Sequence, residues 1–238
     1  MDELKFSLWY EGHKNLSELY NILEKYVFFK PKEMYVNETN DSPNYRNKME
    51  SDKIKKWFYE VCDQKDSVIT IGGWGFMLLI ARTVTIGDFH LISFNISPRA
   101  LKKDYESFEK LFKEVVELTG AFYGVIDSIN NRFDIFEEEK EDTYKPNEYV
   151  QALFWGNYFG GSYASHPNVL KIVKSNDCIA EQLENGWFVK FSDSCSEYAS
   201  EKVKRNRKKL RKYIKSITGY HYIRYRTQGE TQGQSGDG

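Results

Sequence analysis

The side chains of this sequence able to do chemistry are thinly spread. Four histidines (His13, His90, His166 and His221) form no i, i+4 pair and stand apart from clustered acids, so no metal-ligand spacing is present. Three cysteines (Cys62, Cys178 and Cys195) make no C-x-x-C pair, which indicates neither a disulfide framework nor a zinc site. Reduced, buried thiols are the expectation. Cys178 or Cys195 could pair with His166 as a nucleophile, yet nothing in the spacing favours that over a buried thiol and a turn histidine. No G-x-x-x-x-G-K-[ST] phosphate loop occurs, and Gly72-Gly73-Trp74-Gly75 precedes a strand-like run instead of opening a helix, so it reads as a turn. The sequence therefore predicts no catalytic residue, no cofactor and no metal. An enzyme would need a site assembled only by folding.

What remains is charge. The formal net charge is −1, so no overall field draws the molecule to nucleic acid or to an anionic membrane. Two segments are nevertheless strongly charged. A helix expected over residues 198–217 has an apolar stripe of Ala199, Val203, Leu210, Ile214 and Ile217, and its other faces are basic, with Lys202, Lys204, Arg205, Arg207, Lys208, Lys209, Arg211, Lys212 and Lys215; Lys204, Arg205, Lys208, Arg211 and Lys212 are the candidates for nucleic-acid contact. With Tyr220, Tyr222, Arg224, Tyr225 and Arg226 after it, this segment could contact phosphates through its cations and bases through its rings; the plainer reading is a solvated face. The run Glu137, Glu138, Glu139, Lys140, Glu141, Asp142 reads by default as a solvated linker. Its acids are also the best charged candidates for contact with a basic protein partner.

The third candidate is the stretch from Tyr149 to Gly161, YVQALFWGNYFGG. Five aromatic residues and three glycines in thirteen positions suit neither a long helix nor a flat strand. It predicts a bent segment driving aromatic wedges into a core; the functional alternative has Trp155, Asn157 and Tyr158 lining an exposed recognition surface.

The elements that must position these residues can be read in order. Residues 4–10 alternate as a half-buried strand, and a helix follows over 16–27 with Asn15 and Glu18 at capping-box positions. Residues 30–49 read as a long loop, and Ser51 is placed to cap a second helix to about Cys62. Strands are expected over 68–71, 76–86 and 89–96, the last two joined at Gly87-Asp88 as a hairpin. An amphipathic helix over 104–119 stops at Gly120, and 122–128 returns as a strand. His166-Pro167 reads as a turn before an apolar patch at 169–173, and Asn185-Gly186 as a hairpin turn into a strand over 187–191. Without its inserted helix, the first half has the β-α-β-β-α-β order of a ferredoxin-like antiparallel sheet with helices on one face. The expected class is α+β: one domain over 1–226, built from a ferredoxin-like half (1–128) and an aromatic-rich C-terminal half (146–226). The tail 227–238 has no apolar residue and reads as disordered. The first residues show no basic segment followed by an apolar one, and the longest apolar run (75–81) is far below the roughly 20 residues needed to span a bilayer. A soluble, cytoplasmic protein is expected.

At PNEYVQALFWGNYFGGSY the chain resembles a family. Trp155, Gly156, Asn157, Tyr158, Phe159 and Gly160, with Tyr149 before them and Gly186-Trp187 after, look like the immunity proteins of bacterial polymorphic toxin systems, the immunity protein 52 group and its type VI relatives. The basic helix and the Gly/Gln tail fall outside the resemblance, which covers roughly the second third of the chain. It implies a binding protein without catalytic residues, whose partner is a cognate toxin or a defence effector, the anti-phage setting included. A nucleic-acid-binding module built on the basic helix is the alternative.

Overall fold

The computed structural model describes residues 2–12, 14–38, 47–48, 50–64, 67–82, 89–139, 150 and 152–217. Strand β1 (Leu4–Glu11) runs through the middle of the sheet and buries Leu4, Phe6, Leu8 and Tyr10 on one face. Helix α1 (Ser17–Glu24) follows, with the Ser17 N–H donating to the Asn15 side chain at 2.8 Å. It is shorter than its periodicity implies: Val27 lies past its end and is 72% exposed instead of joining the buried stripe. Strands β2 (Pro31–Glu38) and β3 (Asn47–Lys48), helix α2 (Ser51–Val61) and strand β4 (Ser67–Gly73) come next. The hairpin of β5 (Phe76–Arg82) and β6 (Phe89–Ile96) precedes a short helix α3 (Pro98–Leu101), the long α4 (Tyr105–Thr119) and strand β7 (Tyr123–Ser128). Asp104 caps α4 by accepting the Ser107 N–H, and Gly120 ends it in the left-handed conformation at φ 57°. The C-terminal half adds α5 (Ile129–Glu139), β8 (Gly156–Gly160), α6 (Pro167–Val173), the hairpin of β9 (Ile179–Leu183) and β10 (Gly186–Lys190), and α7 (Glu201–Leu210).

Among the described residues the strands join one ten-stranded antiparallel sheet in the order β3-β2-β4-β5-β6-β1-β7-β8-β10-β9. Its centre, β5-β6-β1-β7, has the strand order of the ferredoxin-like sandwich, with α1 and α4 as the crossover helices. The fold is α+β. Two expectations about the first half are corrected. The supposed loop at 30–49 contains β2, which pairs with β4 and buries Met34; Pro31 is tolerated because it stands at the strand's first position. Helix α2 is not capped by Ser51, which is already helical, and Glu50 at the cap position makes no side-chain cap. The inserted unit is thus strands plus a helix that widen the sheet beyond β5.

The two faces of the sheet are covered differently. Side chains of a strand alternate between faces, so Phe6 and Leu8 of β1 share one face and Lys5, Ser7 and Trp9 the other. The first face packs on α4: the Phe6 ring lies 5.4 Å from Phe108, 5.7 Å from Phe112 and 5.6 Å from Phe94. Helices α1 and α2 continue that layer. The second face receives the C-terminal helices over β1 and β7: Arg132 of α5 donates to the Ser7 hydroxyl, and Arg207 of α7 approaches Asp127. The helices α1, α2 and α4 of the ferredoxin-like half thus share one face, as expected, and the C-terminal half adds α5 and α7 on the other.

Candidate functional site

Strand β7 ends in the pair Asp127-Ser128, and each residue organises a neighbour. The Ser128 hydroxyl accepts the Asn131 N–H at 3.0 Å and so caps α5. The Asp127 carboxylate has no exposed surface and accepts three hydrogen bonds: from the Ser128 N–H at 2.7 Å, the Asn131 side-chain amide at 2.8 Å and the Trp155 N–H at 2.7 Å. Arg207 of α7 supplies the facing cation at 3.8 Å. Burial pushes the Asp127 pKa above the ordinary carboxylate range, while the hydrogen bonds and Arg207 pull it down. One buried acid thus ties together the end of the central sheet, the start of α5, the aromatic stretch and the basic helix.

This anchor decides which way α7 faces. Val203, Asn206, Arg207 and Leu210 repeat at helical spacing and are buried, with the Ser200 hydroxyl accepting the Val203 N–H at the N-terminus. Lys202, Lys204, Arg205, Lys208 and Lys209 are left on the outside. Between α5 and α7 lies a cleft of about 820 Å³. Its cationic wall is Lys204, Arg205, Arg207, Lys208 and Arg211; the opposite side brings Asn131, Asp134 and Ile135 from α5, with Leu153 and Glu201 completing it. Ile135 and Leu153 are each 4% exposed, so the cleft has an apolar floor. Lys204 reaches Glu201 at 3.3 Å, whereas Arg205 and Lys208 make no ion pair among the described residues. Arginine and lysine side chains present N–H donors and positive charge, which attract and hold anions.

The residues singled out from the sequence fall in three places. Lys204, Arg205, Lys208 and Arg211 line this cleft, while Lys212 stands outside it with its ammonium 5.1 Å from the Tyr213 ring. Trp155, Asn157 and Tyr158 belong to the interior, at 0%, 0% and 1% exposure, which corrects the recognition-surface alternative: side chains without exposed area offer a partner nothing. The Trp155 indole N–H donates to the Ser192 hydroxyl at 2.7 Å, and the Asn157 amide closes the bend by bonding both the N–H and the carbonyl of Phe154. Glu137, Glu138 and Glu139 are in the last turns of α5, not in a linker; Glu141 and Asp142 lie outside the described residues, as do Tyr220 to Arg226 and the tail. Asp127 escaped notice as a lone acid in the apolar run Tyr123–Ser128, although a carboxylate there must find buried partners. Arg207 stood among the solvent-facing cations, yet it sits four residues after Val203 and three before Leu210, on the buried stripe.

His166, Cys178 and Cys195 are each engaged within the fold. His166 caps α6, its ring nitrogen accepting the Asn168 N–H at 3.2 Å. The Cys178 thiol donates to the Ile172 carbonyl, and burial raises its pKa to about 11; burial also raises that of Cys195 well above the ordinary thiol value. Among the described residues no group of three His, Cys, Asp or Glu converges as metal ligands, and no helix is long and apolar enough to cross a membrane.

No protein-family model matches the chain, and no curated protein matches it. Among solved structures the chain is similar to the Pseudomonas aeruginosa T6SS protein PA0821, at a TM-score of 0.54 and 10% sequence identity, over 88% of this chain and 74% of that one. At that identity the likeness is one of fold. No family model stands behind the immunity-like motif at Trp155–Gly160.

Proposed function

We propose that this chain is a non-enzymatic binding protein that neutralises a partner protein, a toxin or defence effector of bacterial conflict, by occluding it. The observation that carries the reading is the cleft between α5 and α7. It is a concave, cation-lined surface, held on one side by the buried Asp127–Arg207 pair. Asp127 is enclosed and hydrogen-bonded, the Cys195 thiol is buried, and His166 is spent on capping a helix. A fold shared with a T6SS protein of Pseudomonas aeruginosa and the immunity-like motif add support from outside the cleft. A stable complex would bury roughly 1,200–2,000 Å², so the cleft would be one part of a wider interface.

The nucleic-acid alternative uses four of the cleft's cations, Lys204, Arg205, Lys208 and Arg211, together with Lys212 outside it. A cleft that also carries Asp134 and Glu201 is less suited to a continuous phosphate backbone than to a short segment. The test of the proposal is co-expression with the product of the adjacent gene in a sensitive host. Growth protection together with co-purification of the two chains supports it; a toxic product against which this chain gives neither protection nor a complex refutes it.

A further inference from the structure

The cleft between α5 and α7 has a composition that narrows what can occupy it. One wall presents cations, of which Arg205 and Lys208 lack ion-pair partners among the described residues, while the floor is formed by Ile135 and Leu153. A volume of about 820 Å³ lies within the roughly 300–1,000 Å³ of binding pockets, so it admits a short segment and not a folded domain. We propose that this cleft is the seat of an acidic segment of the partner protein that also carries apolar side chains, its carboxylates on Arg205 and Lys208 and its apolar groups over Ile135 and Leu153. This rests on the binding reading above and adds to it the chemistry of the partner and the place of contact.

Charge complementarity selects the occupant. Carboxylates pair with Arg in two-pronged hydrogen bonds and suit cations spaced one helical turn or less apart, as Arg205 and Lys208 are. A single-stranded nucleic acid would bring a phosphate at every nucleotide past Asp134 and Glu201, and would find no aromatic ring for its bases among the described residues that line the cleft. An apolar-bearing acidic peptide meets both the floor and the wall.

The experiment uses the full chain and fluorescein-labelled synthetic probes followed by anisotropy: a peptide alternating Glu with Leu, poly-glutamate of equal charge, and a single-stranded oligonucleotide of equal charge. The Glu-Leu peptide is expected to bind more tightly than either other probe. Its affinity should fall about tenfold in the double variant Arg205→Glu, Lys208→Glu, from the loss of two partly exposed pairs, and should weaken with salt. The control Lys202→Glu, on the same helix but outside the cleft lining, should leave it unchanged. Because both reversed side chains are exposed, the melting temperature should hold, which keeps a folding defect from imitating the effect. No binding of the Glu-Leu peptide, equal binding to the double variant, or tighter cleft-dependent binding of the oligonucleotide would overturn the assignment. The purified complex with the partner separates the two levels. If the double variant keeps that complex at full affinity, occlusion stands and the cleft assignment fails; if wild type forms none, the binding reading itself fails.

Discussion

Replacing Arg207 with Met tests whether the basic helix is anchored as described. Methionine retains most of the apolar stem and removes the guanidinium with its charge and N–H donors, so lost packing is kept small. Asp127 has no exposed surface and would be left as a buried carboxylate without its facing cation. Breaking a buried pair costs about 3–5 kcal/mol, and the lower end applies because Asp127 keeps three donors and the separation of 3.8 Å is longer than a hydrogen bond. The cost should depend on pH, with a definite sign. The folded pKa of Asp127 is raised, so between its unfolded and folded values the folded chain binds more protons and stability falls as pH rises. Removing Arg207 takes away an influence that lowers this pKa, so the falling window extends further upward. Urea unfolding should therefore show a loss of about 3 kcal/mol at neutral pH that shrinks in acid buffer, where Asp127 is protonated in both states. Adding Asp127→Asn should recover part of the loss, as coupled neighbours do. A cost below about 1 kcal/mol that is the same at every pH would mean that Arg207 behaves as a surface cation, and the anchoring argument would be refuted.

Trp155→Ala should cost about 3–5 kcal/mol in the same assay, enough to unfold much of the population, and Trp155→Phe about 1 kcal/mol for the lost bond to Ser192; a small loss for Ala would return the stretch to the surface. Gly186→Ala should destabilise by about 1–3 kcal/mol, because a β-carbon there meets the backbone carbonyl of Phe159 on β8, which cannot swing aside as a side chain can. Burial raises the thiol pKa of Cys62 to about 11 and that of Cys195 well above the ordinary value, so titration with a thiol reagent at neutral pH should modify both only after denaturation.

The parts of the fold legible in the sequence are those in which one segment declares its own buried face. Residues 105–119 repeat Phe108, Leu111, Phe112 and Val115 at helical spacing between Asp104 and Gly120, and β1 alternates, so the ferredoxin-like core could be placed. The strand β2 was hidden because Pro31 and Asn37 speak for a loop, and its order comes from pairing with β4, a contact that local pattern does not reveal. Helix α5 reads INNRFDIFEEE, weakly amphipathic, and owes its start to the Ser128 cap and its position to Arg132 on Ser7. Helix α6 is only seven residues long, with Pro167 at its first turn, and passes for a turn plus an apolar patch. The cations of the cleft were legible as a group. Their concave setting was not, since the floor residues Ile135 and Leu153 come from other parts of the chain.

The central claim is stoichiometric occlusion, and a titration of this chain against a fixed amount of the active partner tests it most directly. If the chain acts by binding, inhibition should rise linearly and end at equimolar protein, with the complex sedimenting as one species that contains both chains intact. Full inhibition at a small fraction of an equivalent, with the partner chemically altered after this chain is removed, would show turnover and contradict the account.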